Sequence, residues 1–115
     1  MQDEIIHFIG QTIFDKKGSN ILALDVRGIS TLTDYVIIAE GMVDRHVIAM
    51  AHELMKVLKE RGEKALFVEG LSNGDWVVLD YGAYMIHLFM PGIRDLYRLE
   101  DIYREGKIID LAIKV

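Results

Sequence analysis

The sequence predicts an α/β fold: a single mixed β-sheet of about five strands with flanking helices, in the order α-β-β-α-β-β-β-α. Three observations carry this expectation. Ile5, Ile6, Ile9 and Ile13 recur at helical spacing, as do Val47, Met50, Ala51, Leu54 and Leu58, so two segments present an apolar stripe. Between them, Tyr35-Val36-Ile37-Ile38-Ala39 is apolar at every position, the pattern of a strand covered on both faces. Beyond residue 65, short apolar runs are punctuated by Asn73-Gly74 and Gly82, as in hairpins. Such an order packs as one sheet with helices against it.

The elements follow in turn. The first helix covers about residues 3–16 and stops near Gly18, with Asp3, Glu4, Gln11 and Lys16 off its stripe. Ile21 to Val26 reads as a strand, Gly28 to Thr33 as a turn, and Tyr35 to Ala39 as a central strand. Asp44 is placed to cap a helix running to about Arg61, and Gly62 sits where a C′ glycine belongs. Ala65–Glu69, Asp75–Tyr81 and Ala83–Met90 read as three further strands, the first two joined by the turn Leu71-Ser72-Asn73-Gly74. Pro91 ends the last of them and opens a short helix from Gly92 to about Leu99. Ile108, Ile109, Leu111, Ile113 and Val115 fit a final strand or an arm, and the tail 105–115 receives no role.

At 115 residues the chain reads as one domain spanning 1–115, since a domain takes ~150 residues. Folding such a chain buries about two-thirds of its surface, enough for a core without staples. There is no cysteine, hence no disulfide or thiolate chemistry. No apolar run approaches the ~20 residues of a membrane span. The start, Met1-Gln2-Asp3-Glu4, is acidic where a signal peptide is basic. These features predict a cytoplasmic protein with no membrane partner. The formal net charge is −5, which disfavours direct, sequence-specific nucleic-acid binding and suits a basic protein partner.

Catalytic and cofactor signatures are missing. His46 and His52 fall on different faces of their helix, and no H-E-x-x-H occurs, so no metal site is expected. There is no G-x-S-x-G, P-loop or G-x-G-x-x-G, and therefore no expected cofactor. Asp25-Val26-Arg27 has the spacing of a metal-binding carboxylate pair, but Arg27 cannot ligate a cation.

One constellation stands out. In a strand, Trp76, Val78 and Asp80 share a face, and the following hairpin sets His87 and Phe89 beside them. Tyr81, Tyr84 and Tyr97 are close in sequence. Trp, Tyr and His around a carboxylate form a typical binding hot spot, although a single Trp can equally be core. Asp80 is either a charge contact for a basic partner or the cap of the Tyr81-Gly82 turn.

Leu24-Asp25-Val26-Arg27-Gly28, Leu32-Thr33-Asp34-Tyr35, Asp44-Arg45-His46-Val47, Val68-Glu69-Gly70, Gly74-Asp75-Trp76-Val77-Val78-Leu79-Asp80-Tyr81-Gly82, His87-Leu88-Phe89 and Arg94-Asp95-Leu96-Tyr97 occur in that order. Together they resemble the ribosomal silencing factor, or Iojap, family over about residues 3–104. The resemblance implies a mixed α/β fold distantly similar to nucleotidyltransferases but not an enzyme. It implies translation repression: binding to the universal large-subunit ribosomal protein fourteen, which blocks joining of the small subunit. The partner-binding set is then Trp76, Val78, Asp80, Tyr81, His87, Phe89, Arg94, Asp95 and Tyr97. Asp34, Asp44, Arg45 and His46 are expected to be structural. The family usually has small hydroxyl residues before Asp44, where this chain has Met42-Val43. The alternative function is a nucleotidyltransferase-like enzyme using Asp25, Asp34 and Asp80. A third reading is a homodimer through the Trp76 face, in competition with the partner.

Overall fold

The computed structural model describes residues 2–115. It contains α1 (Gln2–Asp15), β1 (Ser19–Asp25), β2 (Tyr35–Glu40), α2 (Asp44–Glu60), β3 (Phe67–Glu69), β4 (Trp76–Asp80), β5 (Tyr84–Phe89), α3 (Pro91–Tyr97), α4 (Leu99–Ile102) and β6 (Lys107–Ile108). The expected α/β architecture is present. The sheet has six strands in the order β3-β4-β5-β2-β1-β6. Only the central pair, β2 and β5, is parallel, in the register Tyr35↔Tyr84 to Glu40↔Phe89; the other neighbours are antiparallel.

Every residue of β2 is buried: Tyr35–Ala39 as the uninterrupted apolar run requires, and the terminal Glu40 paired with Arg94. One face of the sheet carries Ala23, Tyr35, Ile37, Ala39, Val77, Leu79, Tyr84, Ile86 and Leu88. These close against Ile6, Ile9 and Ile13 of α1 and Val47, Met50, Ala51, Leu54 and Leu58 of α2. Both predicted helical stripes are thus the core. The opposite face carries a smaller cluster of Leu24, Val26, Val36, Ile38 and Phe89 under Leu99 and Ile93. That cover reaches only part of the face.

Helix ends depart from expectation at one point. Val43, not Asp44, is the residue preceding α2, and it offers no side-chain cap. Asp44 lies inside the first turn, where its carboxylate accepts only the adjacent Arg45 N–H at 2.7 Å and favours the positive end of the helix dipole. His46 closes the turn instead. Its Nδ1 accepts the Met42 N–H at 2.9 Å, which leaves the proton on Nε2 to donate to the Lys16 carbonyl at 2.7 Å. The helix ends as predicted: Gly62 is left-handed (φ 84°), and Glu63 N–H reaches the Leu58 carbonyl.

The tail is both strand and arm. Lys107 and Ile108 pair with Asp25 and Leu24, adding the sixth strand. Beyond them Leu111 packs over Gly10, and the Gln11 amide exchanges two hydrogen bonds with the Lys114 backbone, at 2.9 and 3.1 Å.

Between β3 and β4 the chain reverses through Gly70 and Gly74, both at positive φ, with Gly74 N–H bonded to the Gly70 carbonyl. A Cβ on Gly70 would collide with the Trp76 carbonyl oxygen. Gly70→Ala is therefore expected to cost at least ~2 kcal/mol, from left-handed strain plus backbone displacement. Urea denaturation of the two proteins measures it.

Candidate partner-binding face

The antiparallel register puts Trp76 opposite Phe89, Val78 opposite His87, and Asp80 opposite Met85 on β5 and Phe67 on β3. Directly opposed residues share a face. The face predicted from the alternation of β4 therefore exists, and it is the one that α1 and α2 leave uncovered.

Trp76 is its centre. The indole is half-buried and held on three sides. Phe89, fully buried, stacks beneath it at 5.0 Å between ring centres, and Tyr97 of α3, 54% exposed, lies against it at 4.8 Å. On the third side the indole Nε1–H donates to His87 Nδ1 at 3.2 Å. Next to this group, Phe67, Glu69, Val78, Asp80, Met85 and His87 line an open cavity of about 420 Å³. Phe67 is 67% exposed.

His87 itself is buried. Because Nδ1 accepts the indole proton, the neutral ring carries its own proton on Nε2, and Nε2 has no partner among the described residues. A net hydrogen bond contributes ~0.5–1.5 kcal/mol, whereas a stranded buried donor costs ~1–3 kcal/mol. Burial lowers the His87 pKa from 6.5 to about 4, with nearby Asp80 pulling the other way.

The predicted site residues divide into three groups. Trp76, Val78, Asp80 and Tyr97 lie on the open face. Phe89 is fully buried behind them, and His87, 5% exposed, reaches the open face only where it lines the cavity. Arg94, expected at the interface, is corrected to an internal pin. It is 7% exposed, and its guanidinium meets Glu40 at 3.1 Å, Glu100 at 3.0 Å and the Asn20 carbonyl at 2.5 Å. Tyr81 is corrected too. One residue past Asp80, it packs against the helix-side core and stacks on Tyr84 at 5.0 Å. Asp95 is exposed on α3 beside Arg98 and Asp101. Asp80 caps its turn, accepting Gly82 N–H at 2.8 Å, while still lining the cavity. The register brings Phe67, Glu69 and Met85 to the same face, Phe67 and Met85 opposite Asp80 and Glu69 opposite Val78, and none of the three is in the set expected from the sequence.

The expected structural residues are also distinguishable. His46 bridges α2 to the end of α1, whereas Arg45 is exposed. Asp34 acts through its backbone, accepting from Val26 N–H and donating to the Ala83 carbonyl, and its side chain is exposed.

The carboxylates of the alternative enzyme reading do not converge. Asp25 shares the helix-side face with Tyr35, while Asp80 lies on the open face. Their strands are three sheet positions apart, about 14 Å at ~4.8 Å per step. Arg27 occupies the Asp25 carboxylate at 2.7–3.2 Å and holds its pKa below the usual value. An Asp25–Arg27 salt bridge thus stands where the spacing resembled a metal-binding pair.

The family profile described as "Ribosomal silencing factor during starvation" matches residues 2–114. The chain belongs to this family. The match takes in most of the tail, which the motif resemblance had left outside. A ribosomal silencing factor from Halalkalibacterium halodurans is 32% identical over 94% of this chain and 92% of its own. A mouse protein, "Mitochondrial assembly of ribosomal large subunit protein 1", is 39% identical over 62% of this chain and 32% of its own length. A crystal structure of a Chromobacterium violaceum protein superposes with a TM-score of 0.84 at 30% identity, over 99% of this chain and 95% of that one.

Two outcomes are expected. Arg94→Ala leaves Glu40 buried and uncompensated, and should cost about 3–5 kcal/mol in denaturant unfolding. For His87 the folded pKa is the lower one, so the unfolded chain binds more protons between pH 6.5 and about 4. The stability of the wild type relative to His87→Leu should therefore fall as pH drops from 6.5 to about 4, and be flat above 6.5. Parallel urea titrations across that range check it.

Proposed function

We propose that this chain is a translation repressor, without enzymatic activity, that docks on the large ribosomal subunit. Its contact there is the universal large-subunit protein fourteen, and docking sterically prevents the small subunit from joining. The observation that carries the reading is the aromatic face around Trp76 in a chain of the silencing-factor family. A half-buried Trp stacked on the buried Phe89 and flanked by the exposed Tyr97 is the anchor type that dominates interface energies. The name of the mouse relative supports the large subunit as partner.

The charge is consistent with this reading. The net charge of −5, with Glu69 and Asp80 beside the anchor, complements a basic ribosomal protein and speeds encounter. Direct contacts are Trp76, Val78, Asp80 and Tyr97, extended by Phe67 and Met85. His87 and Phe89 support them from behind. The protein acts in the cytoplasm, and a second copy pairing through the same face competes with the ribosome.

In sedimentation, the protein is expected with free large subunits and not with joined ribosomes; recovery mainly with joined ribosomes overturns the reading. Trp76→Ala should weaken binding to purified large subunits by more than ~2 kcal/mol, roughly thirtyfold, while remaining folded by circular dichroism. Unchanged affinity in the folded variant removes Trp76 from the interface.

A further inference from the structure

We propose that His87 is a positioning residue for partner capture: it fixes the Trp76 indole in its binding orientation and is kept at this position for that reason rather than for stability. The proposal rests on the Trp76 face being the docking site.

The reasoning starts from a cost. His87 is buried in the middle of β5, where Ile86, Leu88 and Phe89 are all apolar. Its Nδ1 takes one hydrogen bond, from the indole, and its Nε2–H finds none among the described residues. Burying an imidazole costs desolvation of both ring nitrogens, and among the described residues only Nδ1 regains a partner, so little of the indole bond remains as net stability. An apolar side chain of similar size in this slot serves the fold equally well or better. Stability alone therefore does not explain a histidine here.

The bond does supply orientation. Packing against the stacked Phe89 and the tilted Tyr97 ring holds the plane of the indole but does not by itself select between the two χ2 orientations that share roughly that plane and point Nε1 to opposite edges. A directional bond from Nε1 to Nδ1 makes that selection. It aims the indole's polar edge inward at β5 and leaves its apolar edge on the open face. A partner then meets a pre-oriented anchor and loses less entropy on binding.

The sequence contains one Trp, so a single indole N–H resonance reports the bond directly. The test compares His87→Leu and His87→Phe, which remove the acceptor, with His87→Asn, whose Oδ1 stands about where Nδ1 did. Melting temperature, indole N–H exchange rate and affinity for purified large ribosomal subunits are measured at pH 7. The Leu and Phe variants should melt no lower than the wild type, exchange their indole proton faster, and bind about tenfold more weakly. The Asn variant should recover slow exchange and at least part of the affinity.

Wild-type affinity in a variant whose indole proton exchanges fast overturns the proposal. So does a slow indole proton in the Leu or Phe variants, and so does an Asn variant that regains slow exchange without affinity. Unfolding of both Leu and Phe variants assigns His87 to the fold and overturns it as well. Failure of the wild type to bind large subunits is a separate result, which overturns the functional reading itself.

Discussion

The parallel pairing of β2 with β5 is the constraint on which the rest of the structure depends. Tyr35–Glu40 and Tyr84–Phe89 run side by side through the middle of the sheet. Parallel strands are stable where both faces are covered. A parallel pair also needs a crossover, and here the crossover contains α2, β3 and β4. α2 covers one face together with α1. The β3–β4 hairpin returns to pair with β5 and so carries Trp76 to the opposite face. The second face is covered only over β1, β2 and the end of β5, by α3, α4 and Tyr103. The open surface around Val78 and Met85 is what that partial cover leaves.

The cover stays in place through one buried charge cluster. Arg94 of α3 reaches Glu40 at the end of β2, Glu100 of α4 and the backbone of β1 at Asn20, and Asn20 in turn bonds Glu40 at 3.1 Å. Two helices too short to be stable alone, α3 and α4, are thereby fixed to the sheet. Fixing α3 also fixes Tyr97 against Trp76. The residue expected to touch a partner thus shapes the open face from inside. α3, the ion cluster and the Trp76–Tyr97 pair are joined by continuous contacts.

Much of this was legible in the sequence because periodicity records burial. The stripes of α1 and α2 and the apolar run of β2 each led to the correct core face. Alternation in β4 named Trp76, Val78 and Asp80 as companions. What the sequence did not reveal depends on contacts between distant residues. Arg94 looks like any surface arginine until Glu40, 54 positions earlier, is seen beside it. Asp44 has the chemistry of a cap, but His46 takes the role because Lys16 offers a carbonyl from another helix end. Tyr81, by contrast, was legible: continuing the alternation of β4 puts it with Val77 and Leu79 on the helix side, where it stacks on Tyr84. Met85 follows from its pairing with Asp80 across the hairpin, whereas Phe67 was hidden because β3 has only three residues, too few for a pattern. The tail was opaque for the same reason, as its two-residue strand gains its place from β1.

The claim that the open face meets the large subunit is tested most directly by side-chain footprinting. Brief hydroxyl-radical oxidation, with and without a saturating amount of purified large subunits, labels exposed rings and thioethers on both sides of the molecule. On this account Phe67, Met85, Trp76 and Tyr97 are protected in the complex, while Phe8 and Met55 on the helix layer oxidise as before. Protection of Phe8 and Met55 with unaltered oxidation of Phe67 and Tyr97 would contradict it.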